Sequence, residues 1–257
     1  MITRFVNYFI SIKQFFIISF IKAGVLPWFL GVALLTFSLA SDNFLTTQNI
    51  MGVARHSTDL ILVAMAQMIV MLTAGLDFSV GVILAMTSVV ASMTMVALWS
   101  GYGTGWEAIF IGCLAGLLIG ACIGLVNGLG VAFLRVPPFI MTLGMSSIIF
   151  GLALTITGGI PIYGAPESFT NTFGYGTFLG ISLSIWVTLF FIGIVYIFLN
   201  LTKMGRYFYA IGGNVRAAEL SGINIRVYIV SAYVFSAIIT SIAALLITAR
   251  LETGEPN

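Results

Sequence analysis

The sequence predicts an all-α membrane protein, a polytopic helical bundle of about seven spans with its N-terminus in the cytoplasm. Three observations carry this. Apolar residues make up 60% of the chain and charged ones 7%, against about a quarter charged in soluble domains. The apolar residues gather into runs near the ~20 residues that a helix needs to cross the hydrocarbon core. The basic residues fall mostly on one side of those runs. A porin-like barrel would alternate apolar and polar residues along short strands, and no such alternation is present. The net charge of +2 is not gathered into a basic face, so nucleic-acid binding is not expected.

The runs, in order, are 23–41, 59–75, 78–98, 108–134, 139–157, 178–200 and 227–249. Before the first lie Arg4, Lys13 and Lys22 around the stretch FFIISFI. No small-residue cleavage site follows, so an uncleaved start is expected. Arg135 sits between the fourth and fifth runs, and Lys203, Arg206, Arg216 and Arg226 between the sixth and seventh. Under strict alternation these share the cytoplasmic side. The loops 99–107 and 158–177 hold Glu107 and Glu167 without lysine or arginine, so they face outward, with Trp99, Tyr102 and Trp106 as interface anchors. Arg55 is an exception, read in an outward loop with Asp42 and Asp59.

The fourth run, about 40 Å long if helical, must tilt or break. It carries Gly112, Gly116, Gly120, Gly124 and Gly128 at spacing four, a ridge of the GxxxG kind. The seventh run repeats the spacing with Ala232, Ser236, Thr240, Ala244 and Thr248. Such ridges pack helices closely, and they could instead line a path or a subunit interface. Asn127 is either helix glue or path lining. Asp77, in GLDFSVG, is the most informative carboxylate: it or Ser79 caps the third span, or it faces the path. Cys113 and Cys122 stand on opposite helix faces, about 13 Å apart in height, and cannot bond to each other. Pro137 and Pro138 start the fifth span. TGGIPIYGAP (157–166) ends that span into an outward loop, a connector or a meeting place for a substrate-delivering protein.

Residues 201–226 form the sizeable cytoplasmic loop. Asn214 is a good N-cap and Gly222 a good stop for a two-turn helix over VRAAELS, with Ala217 and Ala218 as a smooth face. Alone such a helix is marginal, so it needs a surface to hold it. Locally it reads either as a solvated connector or as a docking helix.

GRYFYAIGGNVRAAELSGINI (205–225) resembles the cytoplasmic loop of sugar-type ABC importer permeases of the ribose branch. AGLDFSVG (74–81), GLVNGLGVAFLRVPPFIMTLGMSSIIFGLAL (124–154) and TARLETGEP (248–256) agree in the same order. The resemblance implies a single transmembrane permease domain over 1–257 in the cell inner membrane. It also implies a coupling helix at 212–223, seated on a separate ATPase subunit through Gly212, Gly213, Asn214, Ala217, Ala218, Ser221, Gly222 and Ile223. ATP and Mg belong to that partner, since this chain has no GxxxxGK[ST] loop and is expected to bind no cofactor itself. Further implied partners are a periplasmic or extracellular sugar-binding protein, a second permease copy or paralogue, and lipid. Leu76 and Phe78 depart from the commoner isoleucine and leucine of that motif, so no substrate role is carried over to Asp77. The family continues with further hydrophobic spans past the last matched motif, so a truncated, non-transporting permease is one alternative. An ion-coupled carrier is another. A membrane enzyme is not expected: His56 is the single histidine and has no nucleophile or metal-site motif around it.

Overall fold

The computed structural model describes residues 24–99, 101–102 and 105–256; Arg4, Lys13 and Lys22 lie outside them. The helices of six or more residues are α1 (Leu26–Ala40), α2 (Thr47–Met71), α3 (Val80–Leu98), α4 (Trp106–Ala132), α5 (Pro138–Thr157), α6 (Leu183–Leu201), α7 (Lys203–Gly213), α8 (Val215–Leu220) and α9 (Ile225–Leu251). Six of these, α2 to α6 and α9, are long and apolar enough to cross a membrane. The first expected span is α1, which at 15 residues reaches about 22 Å and falls short of the ~30 Å core. The chain divides into two compact units, 1–53 and 54–257. The described part of the first holds α1 and the opening turns of α2.

Three boundaries differ from the sequence reading, each for a physical reason. Helix α2 begins at Thr47, so Arg55, His56 and Asp59 stand on a helix and not in an outward loop. Its first turns hold Gln48, Asn49, Arg55, His56 and Thr58, which lower the local hydropathy without breaking a helix. The same helix stops at Met71, not at 75, on a two-bond terminus: the Ala74 amide donates to Met71 and the Gly75 amide to Val70. Ala74 takes the left-handed position there, at φ 58°, where glycine is usual. The sixth span starts at Leu183, after a two-residue hairpin joining β1 (Thr177–Phe178) and β2 (Ile181–Ser182). Leu179 and Gly180 turn it with φ of 53° and 76°, the geometry of a primed hairpin turn. The fourth expected span is the unbroken 27-residue α4.

Helices α3, α4 and α9 pack most closely, and small residues explain why. The glycine ridge of α4 serves two neighbours. Gly112 and Gly116 abut Ala91, Met95 and Thr87 of α3, while Gly120, Gly124 and Gly128 abut Ser241, Ala237, Tyr233 and Val230 of α9. A β-carbon at Gly124 would sit 2.6 Å from the Tyr233 carbonyl, and one at Gly120 would collide with the Ser241 hydroxyl. Polar stitches join α3 directly to α9: Thr87 meets Ser241 at 3.0 Å and Thr248 donates to Ser88 at 2.7 Å. A second core joins Leu62, Ala66 and Ile69 of α2 to Val195, Leu199, Phe208 and Ile239.

At the end of the bundle remote from Arg135 and Lys203, chain crossings tie the helices. Arg250, at the end of α9, is a further basic residue on the side expected to be outward, and it pairs with Asp59 of α2. The pair is largely withdrawn from solvent, with 16% and 10% of the side chains exposed. Ile162 and Gly254 exchange both backbone hydrogen bonds, at 2.9 and 2.8 Å. The Tyr175 hydroxyl donates to the Arg250 carbonyl at 3.1 Å.

Gly120→Leu is expected to destabilise the bundle by about 1–3 kcal/mol, read as a fall in detergent unfolding midpoint. Gly144→Leu, with no neighbour within 4 Å, is the control and should change little. Equal midpoints for the two variants would contradict the ridge packing. Asp59→Ala leaves Arg250 charged and buried, at a cost of about 3–5 kcal/mol. Adding Arg250→Met should recover much of that loss, as a double-mutant cycle measures.

Candidate functional site

Two groups of the expected residues come together, one on the surface and one in the interior. The surface group surrounds α8. Helix α7, which the sequence reading took for loop, precedes it and buries Gly205, Phe208 and Ile211. The Thr202 hydroxyl accepts from the Gly205 amide at 3.2 Å, capping α7. Phe208 packs near Phe198 and Tyr228, with ring centroids 5.7 and 6.5 Å away, and so ties α7 to α6 and α9. The signal missed was this i, i+3 row of Gly205, Phe208 and Ile211, masked by three tyrosine and arginine neighbours.

Asn214 is extended and closes α8 at its start, its side-chain oxygen accepting from the Ala217 amide at 3.0 Å. Gly222, at φ 80°, closes the other end: its amide donates to Glu219 and the Ile223 amide to Ala218. Arg216 and Glu219 pair at 2.9 Å along the exposed side. Gly212, Gly213, Asn214, Ala217, Ser221 and Gly222 are exposed, and Ile223 is half-buried. Ala218 differs from the expectation: it is buried against its own chain, so the smooth face belongs to Ala217 alone. Val215 and Leu220 add exposed apolar surface, Leu220 at 78%. The two glycines are not equivalent. A side chain at Gly212 would collide with the Leu72 carbonyl in the α2–α3 connection, whereas Gly213 has open space around it.

The interior group lies where the backbone breaks between α2 and α3. Asp77 is 4% exposed. Its Oδ1 accepts from the Ser79 amide at 2.8 Å and from the Ser79 hydroxyl at 2.6 Å. Asn127 of α4, fully buried, donates to Ser79 Oγ at 2.8 Å. Ser79 holds the N-cap position of α3 but makes no side-chain cap to it. From α5, Thr142 Oγ1 accepts from the Phe78 amide at 3.1 Å, and Ser146 donates to the Phe78 carbonyl at 2.9 Å. From α9, the Tyr233 hydroxyl donates to the Leu76 carbonyl at 3.0 Å. Three helices, α4, α5 and α9, thus satisfy a segment that has no ladder of its own, as backbone at membrane depth requires. Asn127 stands five residues before the end of α4, about 8 Å inside the bundle. Tyr233, Thr142 and Ser146 are additions to the expected set. An aromatic hydroxyl in an apolar span was the available sign.

Gly116, Gly120 and Gly124 form the α4 ridge described above. Ser236 and Thr240 of α9 are fully buried, and no described residue bonds their hydroxyls. Between α3 and α9 runs a cavity of about 240 Å³, walled by hydrocarbon apart from Ser88 and Glu255. Cys113 and Cys122 are free thiols. Among the described residues, no three His, Cys, Asp or Glu side chains gather into a metal-binding group.

The structure is a multi-pass helical bundle with a capped polar helix at its basic end, and the family it matches places it in the class of membrane transport components. More narrowly, the chain belongs to the branched-chain amino acid transport system / permease component family, which matches residues 49–257. It is similar to the D-allose transport system permease protein of Escherichia coli K12, at 32% identity over 85% of this chain and 65% of that protein. The ribose import permease protein of Bacillus subtilis is 36% identical over 89% of this chain and 70% of that one. The L-arabinose ABC transporter permease protein of Azospirillum brasilense is 32% identical over 92% and 67%. The chain therefore spans about two thirds of the length of these relatives. These relatives are permeases of transport systems and not ion-coupled carriers, which removes that rival reading. No solved structure matches.

Tyr233→Phe leaves the Leu76 carbonyl without its donor inside the bundle. A loss of about 1–3 kcal/mol is expected, read from the unfolding midpoint in detergent; an unchanged midpoint would show that the bond carries nothing.

Proposed function

We propose that the chain is the membrane permease subunit of an ATP-driven sugar importer, forms part of the translocation path, and couples to a separate ATPase through residues 212–223. The observation that carries the coupling is α8 itself. It is a two-turn helix, capped at both ends, anchored to its own chain by Ala218 and presenting the rest of its surface outward. A helix so short does not hold its form in water without tertiary support, and one so polar does not enter lipid. Its remaining face suits a soluble protein. The sugar class follows from the names of the relatives, which concern allose, ribose and arabinose.

In this reading α8 meets the ATPase at the cytoplasmic face of the cell inner membrane, and ATP and Mg lie on that partner. The opposite end, where residues 158–177 meet the end of α9, receives a periplasmic or extracellular sugar-binding protein. A second permease, copy or paralogue, completes the path. The small and polar residues Asp77, Ser79, Asn127, Ser236 and Thr240, with Gly116, Gly120 and Gly124, divide between lining and packing. Tight packing accounts for the glycines, whose α-carbons leave no room for a solute.

The test uses the contrast between two neighbouring glycines. A β-carbon added at Gly213 meets nothing in its own chain, so a defect in Gly213→Leu that leaves the fold intact is assigned to a partner. In vesicles carrying the chain with its ATPase, binding protein and a second permease, uptake should fall about tenfold, equivalent to ~1.4 kcal/mol of coupling, while the unfolding midpoint stays put. Wild-type uptake in both Gly213→Leu and Ala217→Trp would return α8 to a plain connector.

A further inference from the structure

We propose that Asp77 and Asn127 together hold one resident proton, carried on Asp77 Oδ2 and shared with the side-chain carbonyl of Asn127, so that the break between α2 and α3 is electrically neutral. The argument starts from the single hydrogen of the Ser79 hydroxyl. That hydrogen goes to Asp77 Oδ1, 2.6 Å away. Ser79 Oγ can then act toward Asn127 only as an acceptor, which orients the amide with Nδ2 toward Ser79 at 2.8 Å. Asn127 is left with its carbonyl oxygen unused, and Asp77 with Oδ2 unused.

Both atoms are buried, and no described residue donates to either. The neighbouring donors are already committed. Tyr233, the titratable group that α9 presents to Asp77, gives its hydrogen to Leu76. Ser146 and Thr142 of α5 give theirs to carbonyls of Phe78, Thr142 and Pro138. Helix α4 contributes only the amide of Asn127. No lysine, arginine or histidine among the described residues acts on the Asp77 carboxyl.

An ionised Asp77 would thus be a buried charge with no counter-charge, linked through Ser79 to a second residue whose acceptor also lacks a donor. Either fault alone is costly in a bilayer-spanning bundle. One proton cures both, because it removes the charge and supplies the missing donor. A metal cation would need several more oxygen ligands than the two left unused here. The proposal rests on hydrogen bonding within this chain and stands or falls independently of the importer reading.

The experiment is infrared difference spectroscopy on the purified chain labelled with 13C-aspartate, wild type minus Asp77→Asn. Only Asp42, Asp59 and Asp77 carry the label. The expected result is a protonated-carboxyl band at neutral pH that disappears in Asp77→Asn and shifts in Asn127→Leu. Unfolding midpoints of the wild type in sodium chloride and choline chloride should coincide. A carboxylate band assigned to Asp77 would overturn the proposal. So would a midpoint raised by sodium in the wild type and not in Asp77→Asn, which would identify a sodium ion in place of the proton. Asp77→Asn keeps a donor toward Asn127 and should unfold near the wild-type midpoint; Asp77→Ala, which loses the Ser79 bonds, should not.

Discussion

The contact on which the rest of this structure depends is the close approach of α4 to both α3 and α9. In lipid, helices gain little from hiding apolar surface from water, so association rests on packing and on a few interhelical hydrogen bonds. Here one row of glycines changes partner halfway along α4, from α3 to α9. The three helices are thereby locked into one unit without any large side chain between them. Bulky residues of α4 such as Phe110, Leu118 and Leu125 point outward in consequence. The hydroxyls of Thr87, Ser88, Ser241 and Thr248 then lie close enough to bond directly between α3 and α9. Large residues at the ridge would have separated them.

That same closeness makes the break at 72–79 tolerable. A backbone without helical hydrogen bonds is normally excluded from a bilayer interior. At Leu76 and Phe78 the missing partners come from Tyr233, Thr142 and Ser146, on α9 and α5. Each hydroxyl reaches its carbonyl or amide only because its helix is held against the break. The polar residues of this region are therefore a requirement of the fold before they are anything else. Asp77 is unusual among them: it organises Ser79 and, through it, Asn127, while half its own carboxyl remains without a donor.

What could be read from the sequence followed from strong local signals. Six of the seven expected spans correspond to helices long enough to cross a membrane, because runs of apolar residues near twenty long have few other fates. The caps of α8 were legible because Asn214 and Gly222 act on their immediate neighbours. The features that escaped depend on distant contacts or on residues used against type. Ala74 takes a left-handed position without being glycine, and Leu179 turns a hairpin although it is apolar. Helix α2 begins in a polar stretch whose hydropathy hides it. The burial of Ala218 and not Ala217 is decided by which way a two-turn helix lies on its support, and no local pattern encodes that. The Asp59–Arg250 pair joins residues 191 positions apart. Only a topology that already placed the middle of α2 beside the end of α9 would have suggested it.

The surface helix and the interior break are closer in mechanical terms than their separation in sequence implies. Gly212 lies so near the Leu72 carbonyl that no side chain could stand between them. Leu72 opens the connection that leads, through Leu76 and Asp77, to the start of α3. On the other side, α8 joins α9 through Ser221, Gly222, Ile223 and Asn224 alone, and α9 carries Tyr233, which holds Leu76. A displacement of α8 therefore cannot be absorbed in a slack loop. It must move α7 against the α2–α3 connection, or α9 against α4, or both. Interfaces packed this tightly shift between discrete arrangements and do not bend smoothly. In the proposed coupling, a short rigid lever joined by four residues to a helix that is itself ridged into the core is what a soluble motor would need to act on a membrane path. A flexible connector at 214–222 would dissipate the same push.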